Sequence, residues 1–119
     1  DSVLRDKAKE FAKDMVFACR DMKGERREGV LINQVLRSAT SIGANIHEAQ
    51  YAQGAKDFIS KLEIAQKEAN ETETWLSVLC KSGIIDELTF KSLRNKCGKI
   101  RRMLIASITT VKSKSNAQK

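Results

Sequence analysis

Proline is absent from the 119 residues, and aromatic side chains make up only 5% of them. The first absence removes the usual breakers of long elements and argues against a turn-rich sandwich or barrel. The second argues against strands, which favour aromatic and β-branched side chains. The three cysteines, Cys19, Cys80 and Cys97, lie far apart with no CxxC, and there is a single histidine. That is not the paired spacing of a zinc site. No apolar run approaches the roughly 20 residues a membrane-spanning helix needs. No charged-apolar-small leader opens the sequence, which begins at Asp1 rather than Met.

Catalytic signatures are missing as well. There is no GxxxxGK[ST], no HExxH and no GxSxG. His47 is followed directly by Glu48, so on a helix the two side chains point about 100° apart. Carboxylate di-metal bundles need a Glu-x-x-His pair. Glu68 and Glu71 are three apart, but no histidine follows a glutamate by three. These absences predict a protein that is not an enzyme and carries no metal or cofactor.

What is present suits helices. Hydrophobic residues are 41% and charged residues 31% of the chain, rich in Ala, Leu, Lys, Glu, Arg and Ile. Four stripes recur at spacings of three and four, the mark of a helix with one buried face. The first, over about 3–22, is Leu4, Ala8, Phe11, Met15, Cys19 and Met22. The second, over about 30–51, is Ile32, Val35, Leu36, Ala39, Ile42 with Gly43, and Ile46. The third, over about 56–81, is Phe58, Leu62, Ala65, Ala69, Thr72, Leu76 and Leu79. The fourth, over about 87–112, is Leu93, Cys97, Ile100, Leu104, Ile108 and Val111. A polar turn at 23–29, Gln53-Gly54-Ala55 and Ser82-Gly83 separate them, Asp86 is placed to cap the last helix, and a polar tail at 113–119 is expected to fray. Short turns make sequential helices antiparallel, which predicts a single all-α domain, an up-down-up-down four-helix bundle. Cys19 and Cys97 fall within the stripes, as small buried hydrophobes in a reducing cytoplasm would.

The net charge is +7, and it is unevenly placed. No acidic residue follows Glu87, while Lys91, Arg94, Lys96, Lys99, Arg101, Arg102, Lys112, Lys114 and Lys119 do. Projected on a helix, these basic residues lie outside the fourth apolar stripe, and the exposed arc carries no acids of its own. Such a face points to a polyanionic partner, nucleic acid before membrane. No stacking aromatics or base-reading helix accompany it, so contact with the phosphate backbone is expected through Lys91, Arg94, Lys96, Lys99, Arg101, Arg102 and Lys112. A membrane surface is disfavoured because few bulky apolar residues flank the basic face.

The segment from Arg37 to Leu79 reads RSATSIGANIHEAQYAQGAKDFISKLEIAQKEANETETWLSVL. It resembles the four-helix-bundle family encoded in intervening sequences of bacterial large-subunit ribosomal RNA genes. It is also similar to the accessory variability determinant of diversity-generating retroelements. The likeness centres on Arg37, Ser41-Ile42, Ala44-Asn45-Ile46 and Glu48, and resumes at Phe58, Leu62, Ile64-Ala65, Glu71, Glu73 and Leu76. Gly43 stands where many members carry proline, and Ala49 where glycine is common. The resemblance implies a non-catalytic bundle, a homopentamer, nucleic-acid binding and a reverse transcriptase as protein partner. An adaptor whose basic helix docks an acidic protein is the rival expectation.

Ser38, Ser41, Asn45, Glu48 and Ala52 form a second stripe on helix two, projected away from the apolar one. Glu68, Glu71 and Trp75 flank the core stripe of helix three, and Ile105 lies among the arginines of helix four. Ser41, Asn45, Glu48, Glu68, Glu71, Trp75 and Ile105 are therefore expected at an oligomer interface or in structural polar contacts. A glutamate buried against Trp75 needs a donor, and Arg37 and Asn45 are the candidates.

Overall fold

The computed structural model describes residues 2–25 and 29–117. It contains four helices, α1 (Ser2–Glu25), α2 (Gly29–Ala49), α3 (Ala55–Lys81) and α4 (Glu87–Ala117), and no strand among the described residues. The helices pack around a ring, α1 against α2, α2 against α3, α3 against α4 and α4 back against α1. Among the described residues the backbones of the diagonal pairs stay farther apart. The result is a rod of 54 × 22 × 21 Å, the expected four-helix bundle.

The apolar stripes form its core. All six stripe residues of α1 are buried, from Leu4 to Met22, and so are Ile32, Val35, Ala39, Ile42 and Ile46 of α2. Leu62 to Leu79 on α3 and Leu93, Cys97, Ile100, Leu104 and Ile108 on α4 complete it. Leu36, Phe58 and Val111 are half-buried at its edge. The Cys19 thiol lies 3.9 Å from the Ile32 carbonyl, and the Cys97 thiol donates to the Ala69 carbonyl at 3.4 Å. Burial pushes the Cys97 thiol up to about 12, with Glu73 adding to the rise. Gly43 faces Ala8, where an added Cβ would sit 3.8 Å from the Ala8 methyl, an ordinary contact.

Helix ends follow local chemistry. Gly83 takes a φ of 75°, and the amides of Ser82, Gly83 and Ile84 return to the carbonyls of Val78, Cys80 and Leu79, closing α3. The Asp86 carboxylate accepts from the Thr89 amide at 2.7 Å and opens α4. That amide holds Asp86 below the usual carboxylate range.

Three helix ends differ from expectation by two residues or more: α2 stops at Ala49 rather than at about 51. α1 continues through Glu25 and α4 through Ala117, five residues beyond the expected end. The residues added to α4 are mostly polar, so no apolar stripe marks them, yet nothing in 113–117 breaks a helix. The expected polar turn at 23–29 falls partly on 26–28, and the last residues of the expected tail are 118–119. Both lie outside the described residues.

Candidate nucleic-acid interface

Helix α4 is long because nothing in it breaks a helix, and its buried stripe turns every other position outward. At 100° per residue Lys91, Lys99 and Arg102 project within about 80° of one another, opposite the stripe. Lys91, Lys99, Arg102 and Arg94 are exposed. The Arg94 guanidinium lies 4.9 Å from the Phe90 ring centroid, one turn earlier, which holds it along the helix surface.

The structure corrects the expectation of an unneutralised arc. Acids from the neighbouring helices reach it. Lys96 meets Asp14 of α1 at 2.8 Å, Arg101 meets Glu73 of α3 at 2.6 Å, and Lys112 meets Glu63 of α3 at 3.2 Å. The pairs lie 28 to 82 residues apart in sequence, so a projection of α4 alone cannot show them. Lys91, Arg94, Lys99, Arg102 and Lys114 have no carboxylate within 4 Å among the described residues. On α4 the charge left for an outside partner is therefore narrower than the sequence suggests, and it rests mainly on these five.

The second polar group lies between α2 and α3. Arg37 donates to Glu68 at 3.0 Å and to Glu71, and the Trp75 indole N–H donates to the same Glu71 oxygen at 3.2 Å. Glu68 is buried, with 9% of its surface exposed. Desolvation works against the Arg37 charge, but Glu68 and Glu71 outweigh it and hold the guanidinium above its ordinary value. The Trp75 N–H, with Glu68 and Arg37, holds Glu71 below the usual carboxylate range, against the effect of burial. Of the two donors named from sequence, Arg37 fills the role. Asn45 instead donates to the Ser41 carbonyl at 2.9 Å, and Ser41 to the Arg37 carbonyl at 2.8 Å.

The polar stripe of α2 was expected away from the core, and for Ser38 this is wrong. Ser38 is fully buried, its hydroxyl 2.9 Å from that of Thr72, which is also fully buried and 2.8 Å from the Glu68 carbonyl. Its position was visible, three after Val35 and four before Ile42, but its polarity masked it. Glu48 is exposed and pairs with Lys61 of α3 at 3.1 Å. Ile105 keeps 39% of its surface exposed. His47 is exposed, its ring 5.2 Å from that of Tyr51. Among the described residues no three His, Cys, Asp or Glu side chains could hold a metal ion, and no helix is long and apolar enough to cross a membrane.

A model of the family described as 23S rRNA-intervening sequence protein matches residues 1–106. The chain is similar in structure to a protein from Bacteroides thetaiotaomicron VPI-5482, described as of unknown function and from the S23 ribosomal protein family. The TM-score is 0.87 at 46% identity, over 88% of this chain and 97% of the other. No curated protein matches.

Proposed function

The chain belongs to the 23S rRNA-intervening sequence protein family, and from that premise we propose that it is a non-catalytic scaffold that binds the phosphate backbone of nucleic acid through α4. The observation that carries this reading is the set of cations without carboxylate partners, Lys91, Arg94, Lys99, Arg102 and Lys114, on a helix whose acids end at Glu87. Cations held outward and unneutralised favour a polyanion, and each phosphate they meet releases counterion. Nothing on α4 reads base edges, so binding is tolerant of sequence.

Self-association is part of the reading. Ile105 beside Arg102, and Ile64 on α3 with 41% of its surface exposed, supply apolar contact. Five copies at +7 each would carry +35, and repetition turns weak phosphate contacts into avidity. A reverse transcriptase as partner rests on the likeness to the retroelement determinant alone.

The test is light-scattering mass with and without a short RNA or DNA duplex, followed by duplex affinity across a salt series. Steeply weakening affinity is expected, and Lys91→Ala or Lys99→Ala should each lower the salt slope by about one. Lys112→Ala, which removes a cation already neutralised, should change it less. An affinity indifferent to salt would overturn the backbone-binding mechanism, and a monomer indifferent to the duplex would overturn the whole reading.

A further inference from the structure

Gly98 lies on the outer side of α4, yet it is buried. What covers it is a pair of arginines from its own helix. A Cβ built at Gly98 would stand 3.2 Å from Nη1 of Arg102 and 3.7 Å from Nη2 of Arg101, with Cζ of Arg102 at 4.0 Å. Two guanidiniums therefore converge over one bare stretch of helix backbone. Arg101 is tied to Glu73 through Nε at 2.6 Å, which orients its fork and leaves Nη2 on the glycine side. Arg102 has no carboxylate within 4 Å among the described residues. Two guanidiniums thus approach the same bare backbone, only one of them with a carboxylate partner, and an anion between them would offset their mutual repulsion.

We propose that Gly98 is the floor of an anion seat, in which Arg101 and Arg102 together hold one phosphate group. The planar guanidinium suits this, because its N–H donors match the oxygens of a phosphate in a two-point grip. Glycine is the residue that permits it. In a helix interior glycine is less favourable than alanine, but here an added Cβ would crowd the Arg102 guanidinium at 3.2 Å, which would have to give by a few tenths of an ångström. Arg94, one turn earlier, lies over Phe90 and adds positive field. The seat deepens the nucleic-acid reading and rests on it for its natural source, a backbone phosphodiester rather than free phosphate.

The test is an NMR titration of the isotope-labelled full chain with inorganic phosphate, following the arginine Nε–H signals and the Gly98 amide. A short RNA duplex is then titrated against the same variants. Saturable shifts at Arg101, Arg102 and Gly98 are expected with phosphate and not with chloride at matched ionic strength. Arg102→Ala should abolish them. Gly98→Ala is the sharper variant: it removes no charge and favours the helix, yet it shifts the Arg102 guanidinium by a few tenths of an ångström. It should weaken phosphate by about threefold or more, less than the loss of a full charged hydrogen bond. It should also lower duplex affinity with the salt slope unchanged, whereas Arg102→Ala lowers the slope by about one. Wild-type shifts that are absent, or that Gly98→Ala leaves untouched, overturn the seat even where salt-dependent duplex binding stands. Saturable phosphate binding without any duplex binding supports the seat, overturns the nucleic-acid reading, and makes free phosphate the ligand.

Discussion

Arg37 reaches from α2 to two carboxylates on α3, whereas Arg102 lies back along α4 with no carboxylate within 4 Å among the described residues. Around Arg37 the charges close on themselves. Glu68 and Glu71 share its guanidinium, Trp75 completes Glu71, and the Ser38–Thr72 pair sits nearby with its hydroxyls satisfied. Around Arg102 they stay open. The same side chain thus fastens two helices in one place and is left for an outside anion in the other. What decides between the two is the neighbouring helix, which offers carboxylates at the α2–α3 seam and none to the outer pole of α4.

If this contrast holds, interior variants change stability and leave binding alone, and variants of the outer α4 face do the reverse. Leu76 is fully buried in the core, so Leu76→Ala should cost roughly 2–5 kcal/mol in denaturant unfolding, the range for large-to-small core changes. Lys91→Ala should leave the unfolding midpoint where it is while weakening duplex binding. A shift of similar size in both would erase the distinction. The next effect in size is at the seam itself. Thr72→Val removes one partner from a fully buried hydroxyl pair and should cost about 1 kcal/mol. Adding Ser38→Ala should cost less than the two singles together, because the pair acts as one unit. Strict additivity in the double-mutant cycle would show that the hydroxyls do not interact.

The smallest expected effect is in pH. The folded protein holds Glu71 below the ordinary carboxylate value of 4.5, so its contribution is fully present above that value. It is lost as pH falls below 4.5 and through the lower folded value. Trp75, the single tryptophan, donates to Glu71 and so reports the step by fluorescence. Glu71→Gln keeps an acceptor for the indole but cannot titrate, and its stability should fall less in acid. Parallel pH curves for the two proteins would remove Glu71 from the account.

The sequence carries the bundle well, because burial in a helix repeats at a spacing that one strand of text can hold. The stripe from Leu4 to Met22 and that from Leu62 to Leu79 are buried throughout. The charged surface is less legible, because neutralisation is settled between helices. Lys96 and Asp14 are 82 residues apart, and only the closure of α4 onto α1 brings them together. Ser38 was missed for another reason: its spacing is that of the core, but its chemistry is that of the surface. Gly98 was missed because a glycine in a helix has no side chain to project. What matters there is the space it leaves for Arg102.

Two of the three thiols give the bundle a built-in clock. Cys97 is buried and its thiol pushed up to about 12, so near neutral pH it is both shielded and protonated. Cys80, half-exposed at the end of α3, is held up as a thiol by its hydrogen bond to Glu87 at 3.2 Å. An alkylating reagent would reach Cys80 without any opening of the rod, at the slow pace of a suppressed thiolate. It would reach Cys97 only when the helices part. The ratio of the two modification rates would therefore count how often the folded protein breathes, with no probe added to the chain.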